Sequence, residues 1–182
     1  MGIAPRKELD VMLLDYDELE SPVGRLIFAT NSDGVCGLGF DGYEAELEAI
    51  FKHRFGSFEY RRGSDPLKLK ATLRKYFHGE LHLLDAVPVS MGGTLFQQLV
   101  WNELRAIPPG ETRTYGQLAE KLGKPLAARA VGHANAVNPI CIIVPCHRVV
   151  GTTSLTGYGG GLERKRWLLQ HEGAQLALAA WR

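Results

Sequence analysis

Two apolar runs stand out early in the chain, residues 24–30 and 34–40. The polar stretch Asn31-Ser32-Asp33-Gly34 between them has the turn chemistry of a β-hairpin. Over residues 43–54 the spacing changes: Leu47, Ile50 and Phe51 recur at helical intervals, which predicts a helix with one buried face. Asp65-Pro66 reads as an N-cap followed by proline at the first helical position. It opens a helix that turns Leu67, Leu69, Leu73, Tyr76 and Phe77 inward and stops near Gly79. Residues 80–90, with Val87 and Val89, are expected to form a strand or an extended connector.

The second half is punctuated more sharply. Thr94 can cap a helix whose Phe96, Leu99, Val100, Leu104 and Ile107 share one face, ended by Pro108-Pro109-Gly110. Thr114 precedes a short helix over 115–122, stopped by Gly123, and Pro125 starts another over 126–137, stopped by Asn138-Pro139. A longer helix followed by two short ones across a glycine-containing turn suggests a helix-turn-helix, although any three-helix packing gives the same pattern. Residues 140–144 read as a buried strand running into Pro145-Cys146-His147-Arg148. A glycine loop at 157–161 leads to a last helix over 162–171, with Gly173 as its stop.

Composition narrows the class. The 182 residues are 45% hydrophobic and 23% charged, which suits a folded globular protein of one ordinary or two small domains and excludes wholesale disorder. The net charge is +1, but the halves differ. Residues 1–90 hold 11 Lys/Arg against 15 Asp/Glu, a net of −4, whereas residues 91–182 hold 10 against 5, a net of +5. This asymmetry points to a polyanion bound by the second half, or to a solvated basic face. The domain boundary is placed at residues 90–93, giving a first domain of 1–90 and a second of 91–182. Three cysteines do not make a disulfide framework, residues 1–6 lack the apolar core of a signal peptide, and the longest apolar run, 140–144, is too short to span a bilayer. A reducing, cytoplasmic compartment is expected.

Candidate chemistry centres on Cys146. A cysteine is a nucleophile only as its thiolate, which needs positive charge, hydrogen-bond donors or a base nearby. Cys146 follows a proline that fixes the chain direction and adjoins His147 and Arg148. Cys36 and Cys141 fit the commoner role of small buried hydrophobes.

Pro145-Cys146-His147-Arg148-Val149 resembles the active-site signature of the O6-alkylguanine-DNA alkyltransferases. The similarity covers essentially the whole second half, in order: residues 114–119 (Thr114-Tyr115-Gly116-Gln117-Leu118-Ala119), 127–132 (Ala127-Ala128-Arg129-Ala130-Val131-Gly132), Asn138-Pro139, 158–162 and 165–173. In the first half it is looser, through Ser21-Pro22-Val23-Gly24 and Tyr76-Phe77-His78-Gly79. The resemblance implies a two-domain α/β (α+β) fold. A ribonuclease H-like N-terminal domain of mixed sheet and helix would support a mostly helical, winged-helix-like C-terminal domain with the helix-turn-helix.

It also implies roles. Cys146 would accept the alkyl group irreversibly, once per molecule, from O6-alkylguanine in double-stranded DNA, with activity on O4-alkylthymine left open. Glu172 would orient His147, which takes the thiol proton through a water; otherwise Glu172 is a surface carboxylate at an unfavourable helix end. Tyr115 would bond the flipped guanine, or simply pack in the core. Asn138 would tie down the Cys146 turn, and it can also cap its helix. Arg129 would fill the gap left by the extruded nucleotide, with Thr114, Ala128 and Gly132 at the DNA surface; the small residues around it equally suit helix-on-helix packing. Tyr158, Gly159, Gly160 and Lys165, the last at the rim, would wall the substrate pocket, while Arg164 and Arg166 read as a charged helix face. No cofactor is called for. The implied protein is a monomer off the membrane, with cooperativity on DNA left open.

Two departures from the family pattern stand out. The loop over residues 151–157 is about one residue shorter than expected, and Cys36 has no cysteine or histidine at ligand spacing, so no metal site is predicted. Two rival readings remain. A binding module that senses alkylated DNA without repairing it would lack the acceptor cysteine, and a cysteine hydrolase would leave the helix-turn-helix unexplained.

Overall fold

The computed structural model describes residues 11–175, so the reading of residues 1–6 lies outside the described residues. Strands β1 (Met12–Leu19), β2 (Leu26–Asn31), β3 (Gly34–Phe40) and β4 (Phe58–Arg62) form one sheet in the order β3-β2-β1-β4. The β2–β3 hairpin forms where the turn signal stands. β1 pairs antiparallel with β2 and parallel with β4.

β2 is buried at every position because both faces of the sheet are covered. Its alternating side chains divide accordingly. Ile27 and Ala29 pack with Leu14, Leu47 and Phe51 under helix α1 (Glu44–Phe55), whereas Leu26 and Phe28 join the main core with Leu104, Val144 and Cys146. In β3 the register slips at Cys36, between the pairs Ala29–Gly37 and Thr30–Val35. This β-bulge puts Val35 on the same face as Leu38 and Phe40. β3 is an edge strand, and its edge is covered by the end of the first half and by the segment that leads to Cys146. Val89 and Ile140 make single parallel bridges to Val35 and Leu38, so the sheet itself anchors the segment that leads to Cys146.

Helices α2 (Leu69–Phe77), α3 (Leu95–Arg105), α4 (Tyr115–Lys121), α5 (Ala128–Ala136) and α6 (Leu162–His171) follow. Thr94 and Thr114 each head a full capping box, with Gln97 and Gln117 respectively. Trp101 Nε1 on α3 donates to the Ala134 carbonyl on α5 at 2.8 Å, which ties α5 to the core while α4 packs against it. Strands β5 (Arg113–Thr114) and β6 (Val149–Val150) pair in parallel and bind the start of α4 to the segment after Cys146.

Four expectations need correction. Residues 140–144 do not form a strand beyond the single bridge at Ile140. They coil into a turn closed by Val144 N–H donating to Ile140 C=O at 3.0 Å, with Ile142 in the left-handed region at φ 68°. The prolines at 139 and 145 deny this stretch two ladder donors, and Asn138 closes it on itself. Residues 80–90 are extended only at their end: Leu81–Ala86 form a 3-10 helix, after which Val87 is extended and Val89 makes the bridge to Val35. Pro66 lies in a turn ahead of α2, and Asp65 caps from further back, accepting from the backbone N–H of Leu69 at 2.6 Å and of Lys70 at 2.9 Å. The helix expected over 126–137 begins as a 3-10 turn at Pro125–Ala127 before α5.

β1 and β4 carry no clear alternating signal because β1 buries acids as well as hydrophobes. Asp15 is held by Arg61 of β4, and Asp17 by Lys70 of α2.

Candidate active site

Cys146 opens a 3-10 turn, Cys146–Arg148, that leads directly into β6. Asn138 sets the position of this turn. Its Nδ2 donates to the Val144 carbonyl at 2.7 Å and its Oδ1 accepts from the Ile140 N–H at 3.0 Å, so one side chain clamps both ends of the 140–144 turn.

The thiol lines a partly open cavity of about 320 Å³. Tyr115, Gly132, Asn138, Tyr158 and Gly159, all expected at the site, line it too, together with Tyr43, Asn135 and Cys141, which were not. The Tyr115 hydroxyl lies 3.2 Å from Thr156 Oγ1 and so joins α4 to the 151–157 loop. The Tyr158 hydroxyl is buried without a hydrogen-bond partner, and so is Asn135 Oδ1. A cavity wall with two unsatisfied polar atoms suits a polar occupant such as a heteroaromatic base.

The two neighbouring thiols are pushed in opposite directions. Cys146 is lowered, first by hydrogen bonding from Cys141, against burial, with Asn138 and the Lys165 charge assisting. Cys141 rises well above the ordinary thiol value through that same contact and through burial.

Behind the thiol, His147 Nε2 meets Glu172 Oε1 at 2.9 Å with both side chains fully buried. Arg148 completes the arrangement, its Nε donating to Glu172 Oε2 and its Nη2 to Oε1, each at 2.8 Å, while Nη1 reaches the Ile107 carbonyl. The Tyr76 hydroxyl, 96 positions earlier in sequence, donates to Oε1 at 2.7 Å. Burial alone would raise the Glu172 carboxyl; His147 and Arg148 outweigh it and hold the group well below the usual carboxylate range. Burial lowers His147 below 6.5 despite Glu172. An ionised carboxylate only accepts hydrogen bonds, so the proton of neutral His147 sits on Nε2. Nδ1, which has no hydrogen-bond partner among the described residues, is left as the basic atom.

Lys165 is not at the pocket rim. It is 0% exposed, donating from Nζ to the carbonyls of Val149 and Leu155 at 2.6 Å each, so it secures both ends of the loop after Cys146. Burial brings its pKa down to about 8. Gly160 does not line the cavity either. A Cβ there would come within 2.5 Å of the Phe40 ring, so this glycine lets the loop lie against the sheet. Arg164 is more than a surface charge, since it donates to the carbonyls of Val23 and Gly160 and covers the Phe40 ring.

Thr114 is occupied as the α4 cap. Arg129 stands exposed on α5 and makes no hydrogen bond or ion pair among the described residues, with Ala128 beside it half-buried. Leu126, in the turn between α4 and α5, is 100% exposed. Sequence reasoning missed Asn135, Tyr43, Tyr76 and the role of Arg148. Asn135 was within reach, because Gly132, Asn135 and Ala136 follow helical spacing on the face of α5 that meets the cavity.

Among the described residues, no three His, Cys, Asp or Glu side chains converge as a metal site, and no helix is long and apolar enough to cross a membrane.

Comparison with known proteins identifies both halves. Residues 14–91 match the ribonuclease-like domain of 6-O-methylguanine DNA methyltransferase, and residues 95–174 match its DNA binding domain. The chain is 59% identical over 164 residues to a methylated-DNA–protein-cysteine methyltransferase of Mycobacterium bovis, covering 88% of this chain and 93% of that one. It is 53% identical over 161 residues to the enzyme of the same name from Shigella flexneri, covering 86% and 94%. The crystal structure of Mycobacterium tuberculosis OGT in complex with DNA superposes with a TM-score of 0.73 at 41% identity, over 87% of this chain and 92% of that one.

Proposed function

The chain belongs to the 6-O-methylguanine DNA methyltransferase family, and from that premise we propose that Cys146 is the residue that takes the alkyl group from O6-alkylguanine in duplex DNA. The protein is a methylated-DNA–protein-cysteine methyltransferase that repairs DNA by direct transfer. The observation that carries the assignment of Cys146 is its place: it lines the cavity and heads the turn that continues into the buried His147–Glu172 pair, with Asn138 clamping the segment just before it.

His147 Nδ1 receives the thiol proton through one water, and Glu172 and Arg148 fix the ring for that transfer. The thiolate sulfur forms a bond to the alkyl carbon as the carbon–O6 bond breaks. The proton returns to the departing guanine, assisted by the Tyr115 hydroxyl, so that guanine leaves neutral. The thioether has no ionisable hydrogen and a poor leaving group, so each molecule acts once. No cofactor enters this scheme.

A base inside a duplex is out of reach of a thiol buried in the cavity wall, so it must be flipped out at a cost of a few kcal/mol. Arg129, free on the exposed face of α5, offsets part of that cost by occupying the vacated stack. Thr114, Ala128 and Gly132 allow close approach to the minor groove. The α4–α5 pair acts as the helix-turn-helix of a winged-helix-like second domain, residues 91–182. Residues 1–90 form the support. The working unit is a monomer of the reducing cytoplasm, where three free cysteines persist.

Incubation with O6-benzylguanine, as the free base and in a duplex, followed by intact mass and peptide mapping, tests this reading. One benzyl group on Cys146 is expected, and none on the Cys146→Ala variant. Arg129→Ala should slow the duplex reaction and leave the free-base reaction unchanged. Transfer mapped to Cys141 or Cys36 would overturn the assignment.

A further inference from the structure

Two cavities meet at one large side chain. The cavity over Cys146, about 320 Å³, and a wider cleft of about 830 Å³ both have Tyr43 and Ala136 in their walls. The wider cleft lies between the halves of the molecule, with Ile50 and His53 of α1 on one side and Gln97, Trp101 and Val137 on the other. Ala136 contributes a single methyl group, so the bulk of the partition is the Tyr43 ring.

Its placement is determined by the sheet half. Tyr43 immediately precedes α1 and rests on β3 at Gly39, where a Cβ would come within 2.9 Å of its Cδ1. The ring reaches across to the substrate loop, where a Cβ on Gly159 would lie 3.7 Å from the Tyr43 hydroxyl. Among the described residues no hydrogen bond holds that hydroxyl. The ring therefore acts through its volume, and the glycine beneath it gives it room.

We propose that Tyr43 is a specificity-determining residue whose ring closes the alkyl side of the Cys146 cavity and selects small O6-alkyl groups over bulky ones. The inference rests on the reading of Cys146 as acceptor. A methyl group transferred to Cys146 fits within the 320 Å³ cavity alongside the base. An aryl or long alkyl group has to extend from the sulfur, and the nearest free volume lies behind Tyr43. Steric exclusion by an apolar wall discriminates by about 10- to 200-fold. Removing the ring joins the two cavities and lifts that exclusion for bulky groups alone.

The test is a pair of single-turnover rates on one duplex sequence carrying either O6-methylguanine or O6-benzylguanine, measured on otherwise intact protein. Tyr43→Ala is expected to raise the benzyl-to-methyl rate ratio by at least about tenfold, and Tyr43→Phe, which keeps the ring, to leave it within about twofold of the parent. If the alanine variant does not fold, judged by its melting curve, Tyr43→Leu serves in its place with a rise of the same sign. A ratio unchanged in the ring-removing variant overturns the proposal, and so does an equal rise in Tyr43→Phe. Failure of the underlying reading would look different, because the parent protein would then gain no alkyl mass on Cys146 from either substrate.

Discussion

The two halves of the molecule bury their side chains equally well but bury different things. Beneath α1 the sheet half encloses Leu14, Ile27, Ala29, Cys36, Leu47 and Phe51, a core without a single ionised group. Around Cys146 the second half encloses His147, Arg148, Lys165 and Glu172, each no more than 5% exposed. Removing such charges from water costs several kcal/mol per ion, and their mutual attraction repays it only where hydrogen bonds are complete. Glu172 meets that condition with four donated bonds from three residues. The first core makes stability, whereas the second uses stability to hold a base, a carboxylate and a thiol in one geometry.

The sharpest way to break this contrast is Glu172→Gln. It leaves Arg148 buried without its counter-charge, replaces one acceptor oxygen by an NH2 donor, and removes the negative charge that stabilises a protonated His147. The transfer rate should fall about 10²- to 10⁴-fold, and stability by about 3–5 kcal/mol. Rapid-quench kinetics on O6-methylguanine duplex and a denaturant titration check the two effects. A parent-like rate would make Glu172 purely structural.

Leu14→Ala tests the other core. Leu14 is fully buried in mid-sheet, so the variant should lose about 2–5 kcal/mol. Its transfer rate per folded molecule should stay at the parent value. A slowed reaction in this variant would show that the sheet core also supports the chemistry.

Acid provides the smallest and most graded test. His147 is held below its ordinary 6.5, so as pH falls through 6.5 the unfolded chain takes up a proton that the folded one refuses, and stability drops. Glu172 is held well below its ordinary 4.5, so its contribution is complete above 4.5 and declines at lower pH. Melting temperature should therefore fall from pH 7 towards pH 4. Leu14→Ala should keep the shape of that curve, and Glu172→Gln should remove only the part of the fall that lies below pH 4.5. A parent protein whose melting temperature is the same at pH 7 and pH 4 would contradict both assignments.

How much could be read in advance depended on sequence distance. Cys146, His147 and Arg148 are consecutive, and Thr94, Thr114, Gly123 and Gly173 act within one turn of the helices they bound, so each was visible in a short window. Glu172 was reachable because its helix ends in a readable stop, although only resemblance linked it to His147. Tyr76 looked like one apolar position of an amphipathic helix, and nothing local marks its hydroxyl as a donor to a carboxylate 96 positions away. Tyr43 was hidden for the same reason, since its significance arises where two halves of the chain meet. The 140–144 segment misled because its five apolar residues fit a buried strand. The outcome was decided by Asn138, whose side chain supplies the hydrogen bonds that a sheet neighbour would otherwise give.

The fourfold bonding of Glu172 also bears on the order in which the protein becomes reactive as it is made. Tyr76, Arg148 and His147 leave the ribosome before the carboxylate they share, and α6 must form before Glu172 can reach them. A nascent chain that has yet to form α6 therefore carries Cys146 beside a His147 that no carboxylate orients and an Arg148 that none neutralises.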